Sequence, residues 1–318
     1  MSAATPAARP DSRVRRVKSV LAGARASGKP PRGRSGQRVK TAIGIAVAAI
    51  AAIYVLAPIY WLVVASSKNT SQLFSSSTFL PPAHLSWASN FRLLFTVDGG
   101  YFKYWLLNSV IYALVTAVLA TAVSTLCGYA LAKYRFRGRP LVLGLVAASL
   151  LVPSTALVVP LFLLEHQFNF NNSYEGVILP LAVYPFGVYL MSLFTADAVP
   201  DSILDAARVD GSGELRAFWK VGRPLLMPGM VTLFLLAFIG TWNNYFLPLV
   251  LLGTTTHFPL TVGLSAWSSE LNAPGAGQPL YPEVILGSLV SVLPMLIMFP
   301  FLQKYIARGL TFGAIVGE

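Results

Sequence analysis

Six largely apolar stretches of this 318-residue chain run for at least twenty residues without an Asp, Glu, Lys or Arg: 41–67, 104–132, 140–164, 176–196, 224–269 and 284–303. A helix needs about 20 apolar residues to cross a bilayer. Strands of a membrane barrel would be about 10 residues long and alternate in polarity, which these stretches do not. The spacing predicts an all-α polytopic membrane protein with six transmembrane helices, near 41–66, 105–132, 140–163, 176–196, 227–251 and 284–303. Composition excludes the other classes. Charged residues are 11% of the chain, against about 25% in a soluble domain. Hydrophobic residues are 55%, too many for intrinsic disorder. The first stretch is long for a signal-peptide core, starts late and has no small-x-small cleavage site before a polar chain, so it reads as a true span.

Charge sets the expected orientation. Residues 1–40 hold eleven of the 24 Lys and Arg and a single acid, Asp11. This basic arm, rich in Arg, Pro, Gly and Ser, lacks core periodicity and is expected to be disordered, with the permeating domain at 41–318. Lys and Arg accumulate on cytoplasmic loops, which places the arm inside. Lys133, Arg135, Arg137 and Arg139 then lie in an internal loop, and six spans return the C-terminus, with Lys304 and Arg308, to the inside. The loop near Glu165, His166 and Glu175 has no Lys or Arg and falls outside. A basic block beside an apolar span is a membrane-orientation signal, and no nucleic-acid partner is expected.

Catalytic and metal chemistry find little support. Cys127 is the single cysteine, and His84, His166 and His257 have no HxxxH or HExxH neighbour, so no metal site is expected. Gly23–Pro30 approaches a phosphate-binding loop, but Pro30 stands where the Mg²⁺-holding hydroxyl belongs and no strand precedes it. Spans free of ionisable residues argue against a proton relay or a membrane enzyme and suit an uncharged polar solute. In the second span Thr116, Ala120, Ser124, Gly128 and Ala132 recur every four residues. Such a small-residue face serves either packing within the chain or a seam to another subunit. Tyr101, Phe102, Tyr104 and Trp105 read as an interfacial aromatic belt. Asn243 and Asn244, beside Trp242 and Tyr245, are costly in lipid and mark a candidate translocation path.

The loop at about 198–224 is the most informative. Asp201 is placed to cap a short helix, in which Ile203, Ala206, Ala207 and Asp210 share a low face. Gly211 supplies a left-handed stop. A second segment, 214–222, is expected to set Leu215, Phe218 and Trp219 on one side before Pro224 and Pro228 open the fifth span. The expected result is a helix–Gly–helix elbow continuous with a membrane helix.

This elbow resembles the EAA loop of ABC-importer permeases, E-A-A-x-x-D-G-[AS]-x(5)-F-x-x-I-x-L-P-x(3)-P. Asp205, Ala206, Ala207, Asp210, Gly211, Ser212, Phe218, Val221, Pro224 and Pro228 fall on the pattern in register. Asp205 replaces the first Glu and Arg223 the Leu before Pro224. Asn108-Ser109, Tyr129–Ala132, Arg135–Gly138, Pro153, Pro160 and Trp242–Tyr245 are similar to the carbohydrate branch, in particular its maltose-type smaller second permease. The resemblance covers about 41–317.

The resemblance implies the ABC type I importer permease fold, in a prokaryotic plasma membrane, with both termini cytoplasmic. It implies half of a pore for a sugar or oligosaccharide, without catalytic residues or a cofactor of its own. ATP and Mg would be bound by a homodimeric cytoplasmic ABC ATPase. The other implied partners are a second homologous permease, an external sugar-binding protein and membrane lipid. The ATPase-coupling residues would be Asp205, Ala206, Ala207, Asp210, Gly211, Ser212 and Phe218. Gly309, Leu310, Thr311 and Gly313 resemble a tail that reaches the ATPase. An importer for a polyamine or peptide, or a stand-alone secondary transporter, is the alternative. The latter would leave the elbow unexplained.

Overall fold

The computed structural model describes residues 34–271 and 280–309, all helix and loop with no strand among them. The first helix, α1 (Arg34–Ser66), is followed by the short α2 (Thr70–Ser75) and α3 (Trp87–Thr96). The long α4 (Tyr101–Lys133) comes next, then α5 (Arg139–Ser149), α6 (Val158–Phe168), α7 (Tyr174–Ala182) and α8 (Pro185–Ala198). The elbow is α9 (Asp201–Val209) and α10 (Glu214–Ala217). The chain ends with α11 (Arg223–Trp242), α12 (Phe246–Leu251), α13 (Leu260–Glu270) and α14 (Tyr281–Gly309). By contacts it divides into 1–59 and 60–318. In the first unit the side chains from 40 to 59 are all exposed, and Ile45, Ile50, Ile53 and Val55 present the apolar surface of a lipid-crossing helix.

Five helical segments are long and apolar enough to cross a membrane: Lys40–Ser66, Trp87–Lys133, Tyr174–Ala198, Glu214–Trp242 and Tyr281–Phe301. The third expected span, 140–163, is not one straight helix. It is two pieces, Arg139–Ser149 and Ser154–Phe168, bent by 98°. Pro153 explains the break, because it has no N–H and disfavours helix at the residue before it. Counted as one span, the pair makes six. The expected fourth span parts at Val183–Tyr184 in front of Pro185. The fifth begins earlier than expected, at Arg223, and breaks after Trp242, so that 246–251 is a separate helix.

Helix α4 runs through the centre of the second unit. Its small-residue stripe packs within the chain. Thr116, Ala120, Ser124 and Gly128 are buried. A Cβ on Gly128 would sit 2.7 Å from Met191 Cβ on α8, and one on Gly187 would sit 2.6 Å from Ser124 Oγ. Only missing side chains let these backbones approach so closely. Phe102 and Trp105, expected at an interfacial belt, are instead buried core residues. Phe102 stacks on Trp267 of α13 at a centroid distance of 6.4 Å, and Trp105 meets the same ring edge-on at 4.5 Å. Tyr104 is exposed.

Candidate coupling elbow and translocation path

The elbow turns where the sequence has its glycine. Gly211 has φ +79, and nothing lies within 4 Å of the Cβ it lacks, so backbone conformation and not crowding calls for glycine. Ser212 N–H donates to Ala207 O (2.9 Å) and Gly211 N–H to Arg208 O (2.9 Å). This paired closure satisfies the last carbonyls of α9 and fixes the exit of the chain. Asp201 is not the N-cap. Pro200 holds that position without a side-chain bond, and Asp201 is the first helical residue. Its carboxylate still favours the positive end of α9, and it also reaches Lys133, as described below.

Asp205, Ala206, Asp210 and Gly211 are exposed on the knuckle, with Ala207 and Ser212 half-buried beside them. Phe218 lies behind this face. It is 5% exposed and packs edge-on to Tyr129 of α4 at 4.9 Å. Leu215 and Trp219 do not share its side, being 77% and 55% exposed. The backbone widens into a π-helical turn over Phe218–Gly222, which shifts the register between α10 and α11 and turns Phe218 inward. Gly222 allows Tyr129 close, since a Cβ there would meet the tyrosine ring at 3.1 Å. Leu204, Ala217 and Leu226 complete this core with Met191 and Val199.

Charged contacts that the sequence reading had not singled out brace the elbow. Arg208 Nε and Nη2 donate to Glu214 Oε1 and Oε2 at 2.8 and 3.2 Å, a two-pronged fork across the Gly211 turn. Its Nη1 donates to Asp205 Oδ1 at 2.7 Å. Lys133 Nζ, at the end of α4, donates to Asp201 Oδ1 at 2.8 Å. Tyr134 Oη donates to Glu214 Oε2 at 3.1 Å. The hydrogen bond from Lys133, then its charge, holds the Asp201 carboxyl below its ordinary range. Lys133 had been read only as part of the orientation signal. Its position at the end of a helix that carries no other charge after Lys103, with Asp201 68 residues on, is the available clue.

The two amides of the candidate path sit at a helix break. Asn243 Nδ2 donates back to Ile239 O at 2.9 Å, and Asn244 Oδ1 accepts from Leu247 N–H at 3.4 Å. The polar side chains thus serve backbone groups freed where α11 stops. Asn243 also lines a cavity of about 140 Å³ with Trp242, Thr261, Ser291 and Met295. Of the tail residues, Gly309 ends α14, while Leu310, Thr311 and Gly313 lie outside the described residues. Among the described residues no group of three His, Cys, Asp or Glu could hold a metal ion.

At the opposite end of α4, Asn108 and Ser109 have a clear task. Asn108 Nδ2 donates to Thr256 O and Phe258 O at 2.7 and 3.0 Å, and its Oδ1 accepts from Tyr174 Oη at 2.7 Å. Ser109 Oγ accepts from Leu260 N–H at 2.7 Å. Trp105 Nε1 and Tyr112 Oη donate to Thr255 O and His257 O at 2.8 and 3.0 Å. The connection between α12 and α13 is therefore fastened to one helix end.

The sequence profile described as "Binding-protein-dependent transport system inner membrane component" matches residues 124–312. The chain is 36% identical over 264 residues to the arabinooligosaccharides transport system permease protein AraQ of Bacillus subtilis, covering 82% of this chain and 91% of the relative. It is 30% identical to the diacetylchitobiose uptake system permease protein NgcG of Streptomyces coelicolor, covering 88% and 90%. Among solved structures, a chain of a bacterial ABC transporter involved in the import of the acidic polysaccharide alginate superposes with a TM-score of 0.76. That match has 26% identity and covers 87% of this chain and 99% of the other.

Proposed function

The chain belongs to the inner-membrane components of binding-protein-dependent transport systems, and we propose that it forms half of the pore of an ATP-driven importer for a sugar or oligosaccharide. It is a multi-pass membrane protein and a transport subunit. The relatives named for arabinooligosaccharides and diacetylchitobiose support the substrate class, and a polyamine or peptide is not favoured. The membrane is a prokaryotic plasma membrane, with the elbow, the basic arm and the C-terminus on the cytoplasmic side. A second homologous permease completes the pore, an external binding protein delivers the solute, and a cytoplasmic ATPase pair binds ATP and Mg. This chain binds no cofactor.

The observation that carries the reading is the knuckle. Asp205, Ala206, Asp210 and Gly211 project on a closed turn whose other side is anchored in the core. Low side chains let a partner surface approach the backbone. The rigid closure lets a displacement of that partner pass into the membrane helices as a rigid-body movement. Asp205, Ala206, Ala207, Asp210, Gly211 and Ser212 make the docking face, and Phe218 supports it from behind. Asn243 and the cavity beside it face the solute path.

Gly211→Pro tests the assignment. Proline holds φ near −65° and has no N–H, so it can neither adopt φ +79 nor donate to Arg208 O. Co-purification of the ATPase with the permease pair is expected to be lost while membrane insertion persists. Undiminished association would end the docking assignment.

A further inference from the structure

We propose that Lys133 is a positioning residue for energy coupling, fastening the elbow to the end of α4 so that the two move as one lever. The inference rests on the docking role assigned to the elbow. It goes further by naming how movement of the knuckle reaches the membrane helices.

Two consecutive residues hold both limbs of the elbow. Lys133 Nζ binds Asp201 Oδ1 at 2.8 Å, at the start of the first limb. Tyr134 Oη binds Glu214 Oε2 at 3.1 Å, at the start of the second. Arg208 closes the third side by joining the limbs across the Gly211 turn, through Glu214 at 2.8 Å. Three braces between three points make a frame that resists shear. Without the α4 links, the limbs would still be joined to each other but would be free to rock on the Phe218–Tyr129 contact.

The Lys133 link is well built for this. Its side chain is 6% exposed, whereas Asp201 is 74% exposed. A lysine whose stem is packed has already lost its rotamer freedom on folding, so the ammonium is aimed rather than searching. Helix α4 packs along its length against α8 and α11, and its far end grips Thr255–Leu260. A push delivered at Lys133 therefore acts on the central helix of the unit.

The test uses the complete transporter: this chain with its second permease, ATPase and solute-loaded binding protein in lipid nanodiscs. Lys133→Met keeps the packed stem and removes the charge, and Asp201→Asn removes the partner. Each is expected to leave ATPase association and basal hydrolysis within about twofold of wild type. Each should lower the stimulation by loaded binding protein roughly fivefold, within the range that coupling mutations reach. The double variant should lose no more than either single one, and Lys133→Arg should retain stimulation. Wild-type stimulation in Lys133→Met, or additive losses in the double variant, would overturn the lever. Gly211→Pro in the same assay separates the two ideas. If it abolishes association while Lys133→Met is fully stimulated, the lever fails and docking stands. If it leaves association and stimulation intact, docking itself fails.

Discussion

The two ends of α4 hold their neighbours by different chemistry. At the Tyr101 end, buried neutral side chains donate to main-chain carbonyls: Trp105 to Thr255 O, Asn108 to Thr256 O and Phe258 O, Tyr112 to His257 O. At the Lys133 end, Lys133 and the next residue, Tyr134, donate to carboxylates that face solvent, those of Asp201 and Glu214. Backbone acceptors in a dry setting fix one geometry, because any misfit leaves a polar group unpaired at about 1–3 kcal/mol. Charge pairs with an exposed partner are screened by water and individually weak, so this end is held by several links acting together. The same helix thus has a clamped end and a braced end, and the braced end faces the proposed motor.

The contrast breaks most readily at the clamped end. Trp105→Ala removes a fully buried indole and its bond to Thr255 O, and leaves Gly263, whose Cα abuts that ring, facing a void. The expected loss is about 3–5 kcal/mol, read as a large fall in the thermal midpoint of the detergent-purified protein. A fall no greater than that of a surface substitution would show that this end is not clamped. Gly128→Ala comes second and probes the shaft between the ends. The added methyl would sit 2.7 Å from Met191 Cβ and 2.8 Å from the α8 backbone, so the helices must separate at about 1–3 kcal/mol. Unchanged stability would mean that α4 and α8 are free to part, and a shaft that parts from its neighbour cannot serve as a lever.

The sequence exposed some of this architecture and hid the rest, for physical reasons. Uncharged runs report burial from water, so the spans could be placed. A run does not report direction, so 140–163 reads as one span and gives no sign of the 98° bend at Pro153. The Gly211 turn was legible because a left-handed residue after a short helix has few alternatives to glycine. The side from which Phe218 looks out was not, because the π-helical turn over 218–222 departs from the 3.6-residue period on which such readings depend. Asn108 and Ser109 stood out as a pattern without a stated task, since their partners about 150 residues away are main-chain carbonyls for Asn108 and a main-chain N–H for Ser109, which carry no sequence signal. Aromatic side chains at 101–105 could be a belt or a core. Trp267 decides for core at Phe102 and Trp105, and no local rule names it.

The smallest expected effect is at the braced end and depends on pH. Lys133 holds the Asp201 carboxyl below its ordinary range, first through the hydrogen bond and then through its charge, with Arg135 and Arg208 acting in the same direction. A carboxyl whose pKa is lowered on folding stabilises the fold fully above its unfolded value, and that contribution fades as pH falls through the folded value. The brace is therefore complete at neutral pH and is released only below the usual aspartate range. A spin label at Ser212→Cys, on a Cys127→Ser background, should report an elbow that gains mobility over that acid window. The Glu214 carboxyl is also held low, first by its hydrogen bond from Arg208, so the wild-type profile alone is not specific. In Lys133→Met the part owed to Asp201 should vanish, leaving a shallower acid transition on an elbow already looser at neutral pH. Superimposable profiles for wild type and Lys133→Met would mean that the Lys133 pair holds nothing, and the two ends of α4 would then differ only in how tightly their apolar surfaces are packed.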